Sequence, residues 1–214
     1  MSKRRILIII LGIVFLAILL AVNFIRQNYV VPIIMYHSIS VPAPAKRRVV
    51  SIQSFERQMR FLKNHRYNVL PLEELAVLIK DKKKIPPRTL AITFDDGYKN
   101  NYSFAFPILK RYGLPASVFV IINEVNRPDR LSWKEIRAMQ DSGIITFGSH
   151  TLGPEPLTDI KSEAELKSQI FDSKKILEEK LGRTVNMFSY PGGRFNAKIR
   201  GLVMEAGYKL AVVT

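Results

Sequence analysis

The chain has 214 residues, no cysteine and a formal net charge of +15. That length suits one domain with a substantial buried core. Disulfides and thiolate metal sites are excluded, so any metal must be held by His, Asp or Glu. The basic excess favours polyanions such as anionic lipids or acidic wall polymers, and no pattern points to nucleic acid.

Lys3, Arg4 and Arg5 precede an uncharged run from Ile6 to Ile25. About 20 apolar residues are what a helix needs to cross a bilayer. No good small-residue cleavage site follows the run, so an uncleaved signal anchor is expected. Residues 1–5 would be a cytoplasmic basic flank, 6–25 a transmembrane helix and 26–214 an extracytoplasmic domain. The protein would then sit in the cell membrane as a single-pass protein.

Tyr29 to Tyr36 reads as a strand that delivers His37 at its end. A basic, proline-containing loop follows from Val41. Ser54 is expected to cap a helix with Phe55, Met59 and Leu62 on one face. His65 lies in a polar stretch and is given no role. A second helix should run from Pro71 to Ile79.

The stretch Leu90-Ala91-Ile92-Thr93-Phe94-Asp95-Asp96-Gly97 is a buried strand running into two carboxylates and a glycine. Neighbouring strand residues face opposite ways, so Asp95 and Asp96 share a site only if the strand stops there. Gly97 permits that stop. Read alone, the stretch is either a polar turn or half of a metal site. In the second case one aspartate ligates a cation and the other is free to take a proton.

A helix over Asn100–Tyr112 should be kinked by Pro107 and closed by Gly113. Ala116–Ile122 is a buried strand, followed by a polar loop to Arg130. Ser132 and Glu135 have capping-box spacing and open a helix to Asp141. Trp133 is expected to pack rather than bind. The strand Ile144–Phe147 delivers Gly148-Ser149-His150-Thr151. A long helix from Ser162 to Leu181 and the strand Asn186–Phe188 lead into Ser189-Tyr190-Pro191-Gly192-Gly193. Asn196 should cap the next helix, and Leu210–Val213 forms the last strand. Strands and helices alternate, which implies a parallel sheet. All four polar clusters fall at strand carboxyl ends, where such sheets build their sites.

Thr93-Phe94-Asp95-Asp96-Gly97 and Gly148-Ser149-His150-Thr151 resemble the motifs of NodB-type polysaccharide deacetylases, carbohydrate esterase family 4. Met35-Tyr36-His37 and Phe188–Gly193 are similar to the branch acting on poly-N-acetylglucosamine. The resemblance implies an α/β fold, a distorted (β/α) barrel, and metal-dependent removal of N-acetyl, or sometimes O-acetyl, groups from a glycan. It implies Asp95 as general base, Asp96 and His150 as ligands of a divalent metal such as zinc, and Tyr190, Pro191, Gly192 and Gly193 lining the groove. His37 would lie beside the metal as proton donor or substitute ligand.

The pattern departs from the family at position 154, where a second histidine gives way to proline. Glu155, one residue on, and His37 are the candidate third ligands. The sequence ends where the family usually continues, so the final strand and helix of the barrel are expected to be absent, and no histidine follows His150. The competing expectation is a catalytically degenerate member that binds glycan without turnover.

Overall fold

The computed structural model describes residues 3–27, 30–40 and 48–213. Met1 and Ser2 of the basic flank, Tyr29 of the first strand and the loop at 41–47 lie outside them. Two units are distinct, one up to Val31 and one from Pro32 onward. In the first, α1 (Lys3–Gln27) is a single helix. Its segment Arg4–Asn23 has a mean hydropathy of 3.2 and is exposed throughout, which makes it long and apolar enough to cross a membrane.

The second unit alternates strand and helix. Its strands are β1 (Ile33–Tyr36), β2 (Ser38–Ser40), β3 (Val49–Ser51), β4 (Asn68–Val69), β5 (Thr89–Phe94), β6 (Ala116–Val120), β7 (Ile145–Ser149), β8 (Met187–Ser189) and β9 (Leu210–Val212). Its helices are α2 (Ile52–Asn64), α3 (Leu72–Lys80), α4 (Phe106–Tyr112), α5 (Trp133–Asp141), α6 (Glu163–Leu181) and α7 (Ala197–Glu205). The main sheet runs β1-β5-β6-β7-β8-β9, with β4 beside the start of β5. Its strand pairs are all parallel. It curls into a half-barrel, the distorted (β/α) barrel expected from the motifs. A separate parallel pair, β2 with β3, was not foreseen.

Three local details differ from expectation. Ser51, not Ser54, caps α2: its Oγ accepts from the Ser54 N–H at 3.1 Å. The bend expected at Pro107 is a π-turn over Asn101–Ala105, just ahead of the proline. A widened turn accommodates a ring that lacks an N–H and crowds the preceding carbonyl. Ser149 is the last residue of β7, so that strand carries right up to His150. The capping box at Ser132–Glu135 forms with both reciprocal bonds.

Every position of β5 and β6 is buried, as in a parallel sheet covered on both of its faces. Tyr36 and Phe94 are register partners on β1 and β5, and their rings stack at 5.4 Å. Phe55 of α2 packs edge-on against Tyr36 at 5.1 Å and lies 5.8 Å from Phe94. This aromatic cluster fixes two neighbouring strand ends. The next residues in each strand are His37 and Asp95.

Candidate active site

The carboxyl ends of the sheet open into a cleft of about 860 Å³. His37, Asp95, Asp96 and His150 all line it. Asp95 is only 1 % exposed, and its N–H donates to the Tyr36 carbonyl at 2.9 Å. Its Oδ2 accepts from the Ser189 hydroxyl at 3.2 Å, while Oδ1 is buried with no partner. Burial pushes the Asp95 carboxyl above its ordinary value, against the pull of His150 and His37.

The chain turns sharply after Asp95. Asp96 has φ of 69° and Gly97 φ of 64°. A Cβ on Gly97 would stand 2.9 Å from Val120 Cγ1, so this turn passes hard against the end of β6. The positive φ at Asp96 costs energy in a non-glycine residue. Here it breaks the strand alternation and brings Asp95 and Asp96 to the same cleft, as the motif required.

His150 follows β7 directly. Its N–H donates to the Val120 carbonyl at 2.9 Å. Its Nδ1 lies 2.8 Å from the Ser189 carbonyl. A carbonyl can only accept, so Nδ1 carries the proton in that bond. Nε2 is then turned toward Asp96, 3.5 Å from Oδ1. Thr151 holds φ of 69°, a strained value for a β-branched residue. Its hydroxyl bonds to the carbonyls of His150 and Gly153. Gln169 of α6 accepts from the N–H groups of Leu152 and Gly153 at 3.1 and 2.9 Å, which ties this loop to the helix.

His37 is half-buried, and burial lowers its pKa, opposed by Asp96 and Asp95. Burial thus favours the neutral imidazole. Its carbonyl accepts from Asn101 Nδ2 at 2.8 Å, which anchors the strand end to the π-turn.

A family profile described as Polysaccharide deacetylase matches residues 82–211. The chain belongs to the polysaccharide deacetylase family. YxkH of Bacillus subtilis (strain 168), a protein named for the same family, is 32% identical over 183 residues, 86% of this chain and 64% of that one. A poly-beta-1,6-N-acetyl-D-glucosamine N-deacetylase of Staphylococcus aureus (strain MRSA252) is 32% identical over 176 residues, 77% of this chain and 60% of that one. The chain thus spans under two thirds of the length of either relative. The Streptococcus pyogenes deacetylase PplD, solved in complex with acetate, has a TM-score of 0.80 and 28% identity, covering 86% of this chain and 83% of that one.

Not every residue singled out from the sequence reaches the cleft. Glu155 is exposed and does not line it. Its Oε2 folds back over Gly153, 2.5 Å from where a Cβ on that glycine would be. Pro154 and Pro156, which do line the cleft, flank Glu155 and restrict its backbone. Among the described residues no cluster of three metal-capable side chains forms. Pro191 and Gly192 line the cleft; Tyr190 is buried behind them, edge-on to Phe188 at 5.1 Å and stacked on Phe195 at 4.9 Å. Gly193 closes the short turn by donating to the Tyr190 carbonyl at 2.9 Å.

The sequence reading missed one wall of the cleft. Tyr98 lies just beyond Gly97 and Arg130 at the end of the loop after β6; both line it. The Arg130 guanidinium sits 4.0 Å over the Tyr98 ring and bonds Glu124 through Nε at 2.6 Å. Burial and the nearby Asp96 charge raise the Tyr98 pKa, so the phenol keeps its proton. Nothing in local spacing announces this wall, because a tertiary bridge between Tyr98 and Arg130 assembles it.

Proposed function

We propose that this protein is a metal-dependent hydrolase that removes acetyl groups, N-acetyl foremost, from an N-acetylglucosamine-containing polysaccharide at the cell surface. The observation that carries the reading is the juxtaposition of a buried, partly unpartnered Asp95 with the Asp96–His150 pair in one cleft. The relative from Staphylococcus aureus, named as a poly-beta-1,6-N-acetyl-D-glucosamine N-deacetylase, supports the choice of substrate.

The residues fit a divalent cation held by Asp96 and His150. Nδ1 of His150 is committed to the Ser189 carbonyl, which leaves the Nε2 lone pair facing a carboxylate oxygen at 3.5 Å. Two such acceptors need a proton or a cation between them. An imidazole nitrogen and a carboxylate oxygen are donors that zinc takes, and Asp96 and His150 would hold it here. When bound, the cation supplies Lewis-acid polarisation of the acetyl carbonyl and of the attacking water. Water or substrate would fill its remaining positions.

The chain's own residues do the rest. Asp95, with a carboxyl kept basic by burial, takes a proton from water as the oxygen bonds to the acetyl carbon. The backbone around Gly192 helps hold the negative oxygen that develops. The C–N bond then breaks, and the departing amine takes up the proton that Asp95 received. His37, on the same cleft, would relay that proton or serve as a further ligand of the cation. Tyr98 and Arg130 wall the cleft with an aromatic ring and bonding groups suited to a sugar. Helix α1 would anchor the domain to the outer face of the membrane, with Lys3, Arg4 and Arg5 on the inner side.

A second reading, glycan binding without turnover, is favoured by the missing third ligand at Pro154. Acetate release from N-acetylglucosamine oligomers by the zinc-loaded chain separates the two. Release that is lost in Asp95→Asn supports hydrolysis. Oligomer binding that persists with chelator, with no release, supports the second reading.

A further inference from the structure

Ser189 makes two bonds that no motif reading gave a purpose. Its carbonyl accepts from His150 Nδ1 at 2.8 Å, and its hydroxyl donates to Asp95 Oδ2 at 3.2 Å. The residue ends β8, is fully buried, and lies beside β7 in the sheet. One buried residue therefore touches both functional side chains, His150 through its backbone carbonyl and Asp95 through its short side chain.

We propose that Ser189 is the positioning residue of this site, its hydroxyl setting the direction of the Asp95 carboxylate while its carbonyl independently sets the tautomer of His150. The proposal rests on Asp95 acting as the base. Fixing one oxygen of a carboxylate fixes the plane, and so the direction, of the other. Oδ1 is buried and without a partner, so it is the oxygen whose direction the Ser189 bond sets. Among the described residues no lysine or arginine forms an ion pair with Asp95, so the hydroxyl is its side-chain anchor. A neutral donor orients a carboxylate while perturbing its basicity less than a cation would. The two bonds also separate by substitution. Ser189→Ala removes the hydroxyl and keeps the carbonyl, so it loosens Asp95 and leaves His150 in place.

The test compares the full chain and Ser189→Ala in detergent, with three readouts. Acetate release from N-acetylglucosamine oligomers should show kcat reduced about 10–100-fold with KM within about twofold. Zinc titration by calorimetry should give the same affinity within about threefold, since the His150 bond survives. The Asp95 carboxyl 13C resonance, assigned with Asp95→Asn in zinc-free protein, should shift or broaden in Ser189→Ala. An unchanged kcat with an unmoved resonance would overturn the proposal. So would a kcat loss matched by an equal loss of zinc affinity, because Ser189 would then act through His150 alone. If the unaltered chain releases no acetate, the deacetylase reading fails, and the resonance still decides whether Ser189 holds Asp95.

Discussion

His150 Nε2 faces Asp96 Oδ1 at 3.5 Å across the mouth of the cleft, although the two residues are far apart in sequence. They meet because β5 and β7 are parallel strands of one curled sheet, separated by β6. His150 bonds the Val120 carbonyl at the end of β6, and Gly97 packs against the Val120 side chain. Both partners are thus referenced to the same residue. Replacing either Asp96 or His150 with alanine should lower zinc affinity at least about 10-fold, since in the proposed site both would be ligands. Calorimetric titration of the full chain checks this, and an affinity unchanged from the unaltered chain in both variants would remove the pair from the proposed metal site.

Pro154 lines the cleft that holds this pair, whereas Glu155 does not. A histidine at 154 would add a ligand from a position already facing the site. Pro154→His should therefore raise zinc affinity about 10-fold or more. The gain should vanish in the double variant with His150→Ala, because the new ligand works only alongside the existing ones.

Burial of Asp95 raises its pKa in the folded state. For an acid the sign runs one way. Above the ordinary aspartate range, near about 3.9, the unfolded chain ionises freely while the folded chain resists, so the buried carboxylate destabilises the fold. Asp95→Asn should abolish turnover yet raise the zinc-free Tm at pH 7 by about 2–4 °C, the equivalent of about 1 kcal/mol. The difference should shrink as the pH falls toward the ordinary aspartate range, where both states of Asp95 are protonated. Melting curves across pH in chelator test it. A lower Tm for the variant would contradict the electrostatic account.

Gly97 is required twice over. Its φ of 64° strains any residue with a side chain, and its Cβ would meet Val120 Cγ1 at 2.9 Å. Gly97→Ala should cost about 1–3 kcal/mol, with part regained in the double variant with Val120→Ala. Chemical denaturation of the three proteins measures this. If Gly97→Ala is as stable as the unaltered chain, the turn is not held as described.

Much of this was legible in the sequence because it is local. The buried run before Asp95 fixes a strand, Gly97 fixes its end, and the Ser132–Glu135 spacing fixes a helix start. Alternation of strand and helix then implies that His37, Asp95 and His150 arrive on one face. What could not be read depends on packing. The wall formed by Tyr98 and Arg130 needs a long loop to return to the turn after Gly97. The retreat of Glu155 needs Gly153 to leave space that the carboxylate fills. The double role of Ser189 needs β8 to lie beside β7 and its hydroxyl to reach Asp95, a relationship that residue identity alone does not disclose.

The measurement that bears most directly on the account is acetate release from β-1,6-linked N-acetylglucosamine oligomers. It compares the zinc-loaded full chain, the same chain after chelation, and Asp95→Asn. The account predicts release in the first sample alone, restored to the second by adding zinc back. Release that survives both chelation and Asp95→Asn, or no release from folded, zinc-loaded protein, would contradict it.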